Sequence, residues 1–237
     1  SRFHHLANGF ARQNGIKRTD FGDLLLRAAD SFVVAHEGKH GLFAGFHWFS
    51  EWGRDSMISL PGILLGSGRH ALAFEILSQH ALMMRNGLLP NFIDENGHAH
   101  YNSADASLWF VNAVRQYVEQ SGDFGPVQQE LWKPLRAFLS SYVQGNSLVG
   151  MGSDCLLAVK EPAATWMDAK INGLAVTPRK GKPVEVNALW YSNLKFLLSL
   201  CERFGDRRTG SVIEPIIETL DSSFQKFCSD DGGLFDS

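Results

Sequence analysis

The sequence is poor in cysteine, and the few it has form no pattern. Its 237 residues hold Cys155, Cys201 and Cys228. An odd number of distant thiols excludes a disulfide framework, and no C-x-x-C pair offers a metal site. A reducing, cytoplasmic setting is the expectation. Charge of one sign is lacking too: 22 Lys and Arg stand against 25 Asp and Glu. Without a basic stripe, phosphate-backbone binding has no electrostatic support, and a neutral substrate suits the chain better than a polyanion. No apolar run is long enough to span a bilayer, so no membrane partner is expected. Ser1–Gly15 lacks the apolar core of a secretory leader. The Gly-x-Ser-x-Gly elbow and the P-loop are both absent, which argues against the common serine-hydrolase and nucleotide readings. His98 and His100 lack a third ligand at metal spacing, so no metal and no cofactor are expected.

What is present is apolar and aromatic. The chain is 44% hydrophobic and 20% charged, with 6 Trp and 17 Phe, the composition of a globular protein with a sizeable core. Apolar periodicity marks about seven helical segments. They cover roughly 21–35, 55–64, 71–85, 103–119, 127–143, 186–204 and 211–227. In the first, Asp20 is a plausible cap. In the second, Pro61 lies near the first turn, where proline is tolerated. In the third, Phe74, Leu77, Leu82 and Met83 are available for packing. Asn96-Gly97 and Asn172-Gly173 read as hairpin turns. Tight glycine turns alternate with long polar-aromatic loops. That pattern fits antiparallel helix pairs with functional loops gathered at one end.

Four segments carry candidate chemistry. Gly45-Phe46-His47-Trp48-Phe49-Ser50-Glu51-Trp52-Gly53-Arg54-Asp55 packs Trp, Arg and carboxylates into a turn before a buried helix. Arg54 and Asp55 are placed to hydrogen-bond adjacent sugar hydroxyls, Trp52 to stack on a sugar face, and Gly53 to let the backbone come close. The plainer reading makes Asp55 a helix-terminal charge and Arg54 its surface partner. Thr165-Trp166-Met167-Asp168 places a carboxyl beside an indole, whose low polarity favours the protonated form that a general acid needs. A solvated Asp beside a half-buried Trp is the alternative. In Pro183-Val184-Glu185-Val186-Asn187, the two polar residues flank a helix start, so capping competes with ligand binding. In Tyr101-Asn102-Ser103-Ala104-Asp105, Asn102 or Ser103 is a candidate cap, and Tyr101 and Asp105 are candidates to face a cleft.

Taken together and in order, these segments resemble the amylo-α-1,6-glucosidase domain of glycogen debranching enzymes, from about Asp20 to the end of the chain. The resemblance implies an all-α fold, an (α/α)6 barrel like that of glucoamylases, with short β-hairpins in the active-site loops. It implies one glucosidase domain over 1–237, expected to be part of a twelve-helix barrel in a longer protein. The implied activity is inverting hydrolysis of α-1,6-linked glucose at glycogen or limit-dextrin branch points, with an α-glucan as partner. Asp168 matches the general acid, and the general base is expected beyond Ser237. Arg54 and Asp55 match residues that hold the terminal glucose, and Trp52, Tyr101, Asp105, Trp166, Glu185 and Asn187 complete the candidate substrate-binding set. The competing expectations are a glucoamylase- or trehalase-like α-glucosidase, a carbohydrate-binding fragment lacking the base, and a purely structural helical domain.

Overall fold

In a computed structural model, residues 20–36, 38–45, 48–94, 96 and 98–236 are described. The His4-His5 pair and Phe46-His47 of the first segment lie outside them. The described part is mainly helical. Seven α-helices run Asp20–Ser31 (α1), Gly53–Leu60 (α2), His70–Met83 (α3), Ala106–Ser121 (α4), Trp132–Gln144 (α5), Val184–Phe204 (α6) and Arg207–Ser223 (α7). Between them lie an antiparallel three-stranded sheet, β1 Val33–His36, β2 Lys39–Gly45 and β3 Phe49–Glu51, and three strand pairs. The pairs are β4 Phe92–Ile93 with β5 Ala99–His100, β6 Val149–Met151 with β7 Leu157–Val159, and β8 Lys170–Ile171 with β9 Leu174–Ala175. No helix among the described residues is long and apolar enough to cross a membrane.

The core follows from the helical periodicity. α2 packs on α4, α4 on α6, and α6 on α7. Met57, Leu60, Phe110, Val114, Trp190 and Leu194 from the first three are completely enclosed. α5 adds Phe138 and Tyr142, whose rings stand 4.4 Å apart, and Tyr142 stacks on Trp190 with centroids 6.1 Å apart. Truncating such an enclosed aromatic to alanine costs about 3–5 kcal/mol. The loops preceding α4 and α6 meet: Ala104 N–H donates to the Ala164 carbonyl at 2.7 Å. The start of α2 joins the first of these loops through Gly53 N–H, which donates to Asn91 O at 2.7 Å. One end of the helix layer therefore collects three loops.

Local departures from the periodic reading have physical causes. The first helix stops at Ser31, and Val33–His36 pairs with β2, Val33 facing Leu42. Two adjacent β-branched residues ahead of a glycine turn favour a strand there. α2 begins at Gly53, two residues before the expected start, so Pro61 falls well past the first turn. Proline has no N–H to give and crowds the carbonyl one turn back. The backbone responds by widening into a π-helical turn over Pro61–Leu65. Leu82, expected to pack, is 87% exposed, because α3 turns that face outward. The Asn96-Gly97 hairpin forms as β4–β5, though Gly97 itself lies outside the described residues.

Candidate active site

The site begins with a close approach of two backbones. Trp52 is extended (φ −118°, ψ 127°) and gives α2 no side-chain cap. Directly after it, a Cβ on Gly53 would lie 2.2 Å from the Pro90 carbonyl oxygen. Only glycine admits that contact. The space that the sequence suggested for a sugar is thus filled by the chain itself. What the glycine secures is the placement of Arg54 one residue later.

Arg54 is buried and uses four of its five N–H groups. Nε donates to Asp105 Oδ1 at 2.8 Å and Nη1 to Asp168 Oδ2 at 2.9 Å. Nη2 donates to Ser103 Oγ at 3.0 Å and to the Thr165 carbonyl at 2.9 Å. Ser103 Oγ in turn donates to Asp105 Oδ1 at 2.5 Å and accepts from Ala106 N–H at 3.1 Å, closing the first turn of α4. Burial works against the guanidinium charge, but Asp105 and Asp168 outweigh it, and the Arg54 pKa is raised. One side chain thus ties α2 to the start of α4 and to the loop before α6.

Two carboxyls at this centre reach solvent. The Asp168 side chain is 34% exposed against 1% for Asp105. Asp168 meets Arg54 through Oδ2 alone, and Oδ1 accepts no hydrogen bond among the described residues. Asp55, next to Arg54, is exposed at its outer surface. Desolvation nevertheless pushes its pKa up, Arg54 opposes this, and Asp168 and Asp105 add to it. The arrangement is a fixed cation with one oxygen of Asp168 held and the other free. Such a carboxyl is oriented and open to a ligand at once.

The remaining predicted residues divide. Asp105 is at the centre but sealed, so it orients Arg54 and is not open to a sugar. Trp166 lies beside the centre, 55% exposed, so the group facing Asp168 is the Arg54 guanidinium. Trp52 stacks on Phe92 with centroids 5.0 Å apart and meets the edge of Phe49 at 6.0 Å, so one indole face is already covered. Tyr101 points elsewhere: its hydroxyl donates to Met83 O at 2.8 Å and Arg85 lies over its ring. Asn187 is fully enclosed. Its amide donates to Leu157 O and Pro183 O at 3.1 and 3.0 Å, and its carbonyl accepts from Leu157 N–H at 2.7 Å. It fastens β7 to the start of α6 and is sealed away from any ligand.

Glu185 belongs to a second cluster. Buried Arg179 donates to both Glu185 oxygens, one at 2.8 Å, and to Asp236, including Nε to Oδ2 at 3.1 Å. The Glu185 bonds first, then Asp236, raise the Arg179 pKa against the penalty of burial. Ser103 was weighed in the sequence only as a cap, and its bond to Arg54, the Thr165 carbonyl and the Arg179 clasp went unassigned. Hydroxyls and backbone carbonyls carry no motif. Arg179 had one available signal, a charged residue between turn residues six positions from a glutamate.

Comparison with known proteins places the chain among relatives. The family described as amylo-alpha-1,6-glucosidase matches residues 27–236. A glycogen debranching enzyme of Saccharomyces cerevisiae is 27% identical over 239 aligned residues, which take in 75% of this chain and 16% of that protein. The chain therefore corresponds to about a sixth of that relative's length.

Proposed function

The chain belongs to the amylo-alpha-1,6-glucosidase family, and from that premise we propose that it serves the hydrolysis of α-1,6-linked glucose from a branched α-glucan such as a limit dextrin. The observation that carries the reading is the Arg54–Asp168 contact, which leaves the second, solvent-reaching Asp168 oxygen without a hydrogen bond among the described residues. Asp168 acts as the general acid. Its free oxygen delivers a proton to the glycosidic oxygen as that bond breaks, and the other oxygen stays on Arg54. Asp55 hydrogen-bonds hydroxyls of the terminal glucose, Arg54 fixes Asp168, and Trp52 offers its uncovered surface to the sugar. A second carboxylate serves as the base in this reading. It removes a proton from water on the opposite ring face, so that β-glucose is released with inversion. Acid and base stand about 6.5–9.5 Å apart in such enzymes, leaving room for the water.

The same reading treats α2, α4 and α6 as inner helices and α1, α3, α5 and α7 as outer ones of an (α/α)6 barrel. The inner succession of contacts, α2 on α4 and α4 on α6, supports it. So does the gathering of loops around Arg54. The test is glucose release by the full-length protein from a singly branched limit dextrin, followed by NMR of the anomeric proton. β-Glucose appearing first supports the proposal, and α-glucose appearing first refutes the inverting step. Glucan binding with no glucose released would replace hydrolysis by carbohydrate binding alone.

A further inference from the structure

Residues 166–178 form a flap that the core does not absorb. Trp166 is 55% exposed, Ile171 66%, Leu174 76% and Val176 55%. Scattered surface apolar residues are ordinary, but four large ones fall within eleven positions here, and three of them share one face. Ile171 lies directly opposite Leu174 in the β8–β9 ladder. Val176 N–H donates to the Ala169 carbonyl at 2.9 Å, which extends the pairing and puts Val176 on the Ile171–Leu174 face. The flap is held firmly. Asn172 (φ 51°) and Gly173 (φ 81°) make the tight two-residue turn at its tip. At its base, Arg179 N–H donates to Pro162 O at 2.9 Å, and Val159 pairs with Gly181. Its two roots, Thr165 and Arg179, are buried.

We infer that this flap binds the glucan chain on the leaving-group side and sets the preference for a branched polymer over a lone glucoside. The inference rests on the acid role of Asp168, which sits within the flap. A general acid protonates the oxygen that departs with the main chain, so the main chain must lie on the acid's side of the broken bond. The terminal glucose lies on the Arg54–Asp55 side. The surface flanking Asp168 suits such a chain. The charged side chains in 166–178 are Asp168 and Lys170 alone. Sugar C–H faces stack on an indole and lie against aliphatic groups. A flap braced at both roots loses little freedom when the chain arrives.

The test compares two substrates in the full-length protein. A limit dextrin has a main chain to bind. α-Glucosyl fluoride has none, and its leaving fluoride has little need of a proton. The double change Ile171→Ser with Leu174→Ser, and separately Val176→Ser, should each raise KM for the dextrin about tenfold with kcat nearly unchanged. Both constants for the fluoride should stay at the wild-type values. An unchanged dextrin KM overturns the inference, and if the melting temperature then falls, the patch is a contact within the protein. A fall in dextrin kcat without a KM change also overturns it, because the flap would then only position Asp168. If the wild-type protein hydrolyses neither substrate, the hydrolase reading fails and takes the flap's role with it.

Discussion

Two buried arginines hold the loops at this end of the molecule, and they do so differently. Arg179 meets both oxygens of Glu185 and both of Asp236, so every oxygen of the two carboxylates has the same cation as a partner. Arg54 meets one oxygen of Asp105, one oxygen of Asp168, a hydroxyl and a carbonyl. Its sealed partners fix it in place, and its half-exposed partner keeps a free oxygen. The first arrangement is a clasp and the second is a mount. Both brace the same loop, Arg54 through the Thr165 carbonyl and Arg179 at the loop's return. Ion-pair counting would score them alike. What separates them is which partner atoms remain unused.

That contrast is open to mutation. Arg54→Ala leaves Asp105 as an enclosed charge without its cation, and the loss expected is about 3–5 kcal/mol in urea denaturation. Equal losses at Arg54 and Arg179 would erase the distinction. Gly53→Ala forces a methyl group onto the Pro90 carbonyl, where backbone has to move, at about 1–3 kcal/mol. It should also displace Arg54, so glucan affinity falls with stability. Arg179→Ala should cost only about 1 kcal/mol, because water can resolvate Glu185 and Asp236, whose side chains are 31% and 67% exposed.

Asp55→Asn has the smallest expected effect on stability, and its sign is opposite. The folded state raises the Asp55 pKa, so its contribution is favourable below the unfolded value near 3.8 and is lost as pH rises through the folded one. Asparagine should therefore raise the melting temperature slightly at neutral pH and leave it unchanged near pH 3. Glucan binding should weaken. A variant that is less stable at pH 7 would contradict this account of the cleft.

The sequence disclosed the helices better than the site. Apolar residues at helical spacing located α2 to α7, because burial on one face imposes that spacing. It misread Val33–His36, where an apolar run continues unbroken from helix into strand, and Leu82, where the period is right but nothing covers the face. At the site, Arg54 and Asp168 stood out as candidates because Trp, Arg and Asp crowded into turns go beyond what helix capping needs. Their 114-residue separation hid the contact between them. Asn187 was misassigned for a physical reason: an amide at a helix start looks the same in sequence whether it binds a ligand or its own backbone. Only the three bonds to Leu157 and Pro183 distinguish the two.

The central claim is that Asp168 is the proton donor, held by Arg54 on one oxygen and free on the other. Asp168→Asn in the full-length protein tests it most directly, with glucose release from a singly branched limit dextrin and glucan binding measured on the same preparation. The account predicts a loss of turnover of about a thousandfold with binding largely kept, since asparagine preserves the shape and has no proton to deliver. Turnover close to wild type, or weakened binding with turnover per bound substrate unchanged, would contradict it.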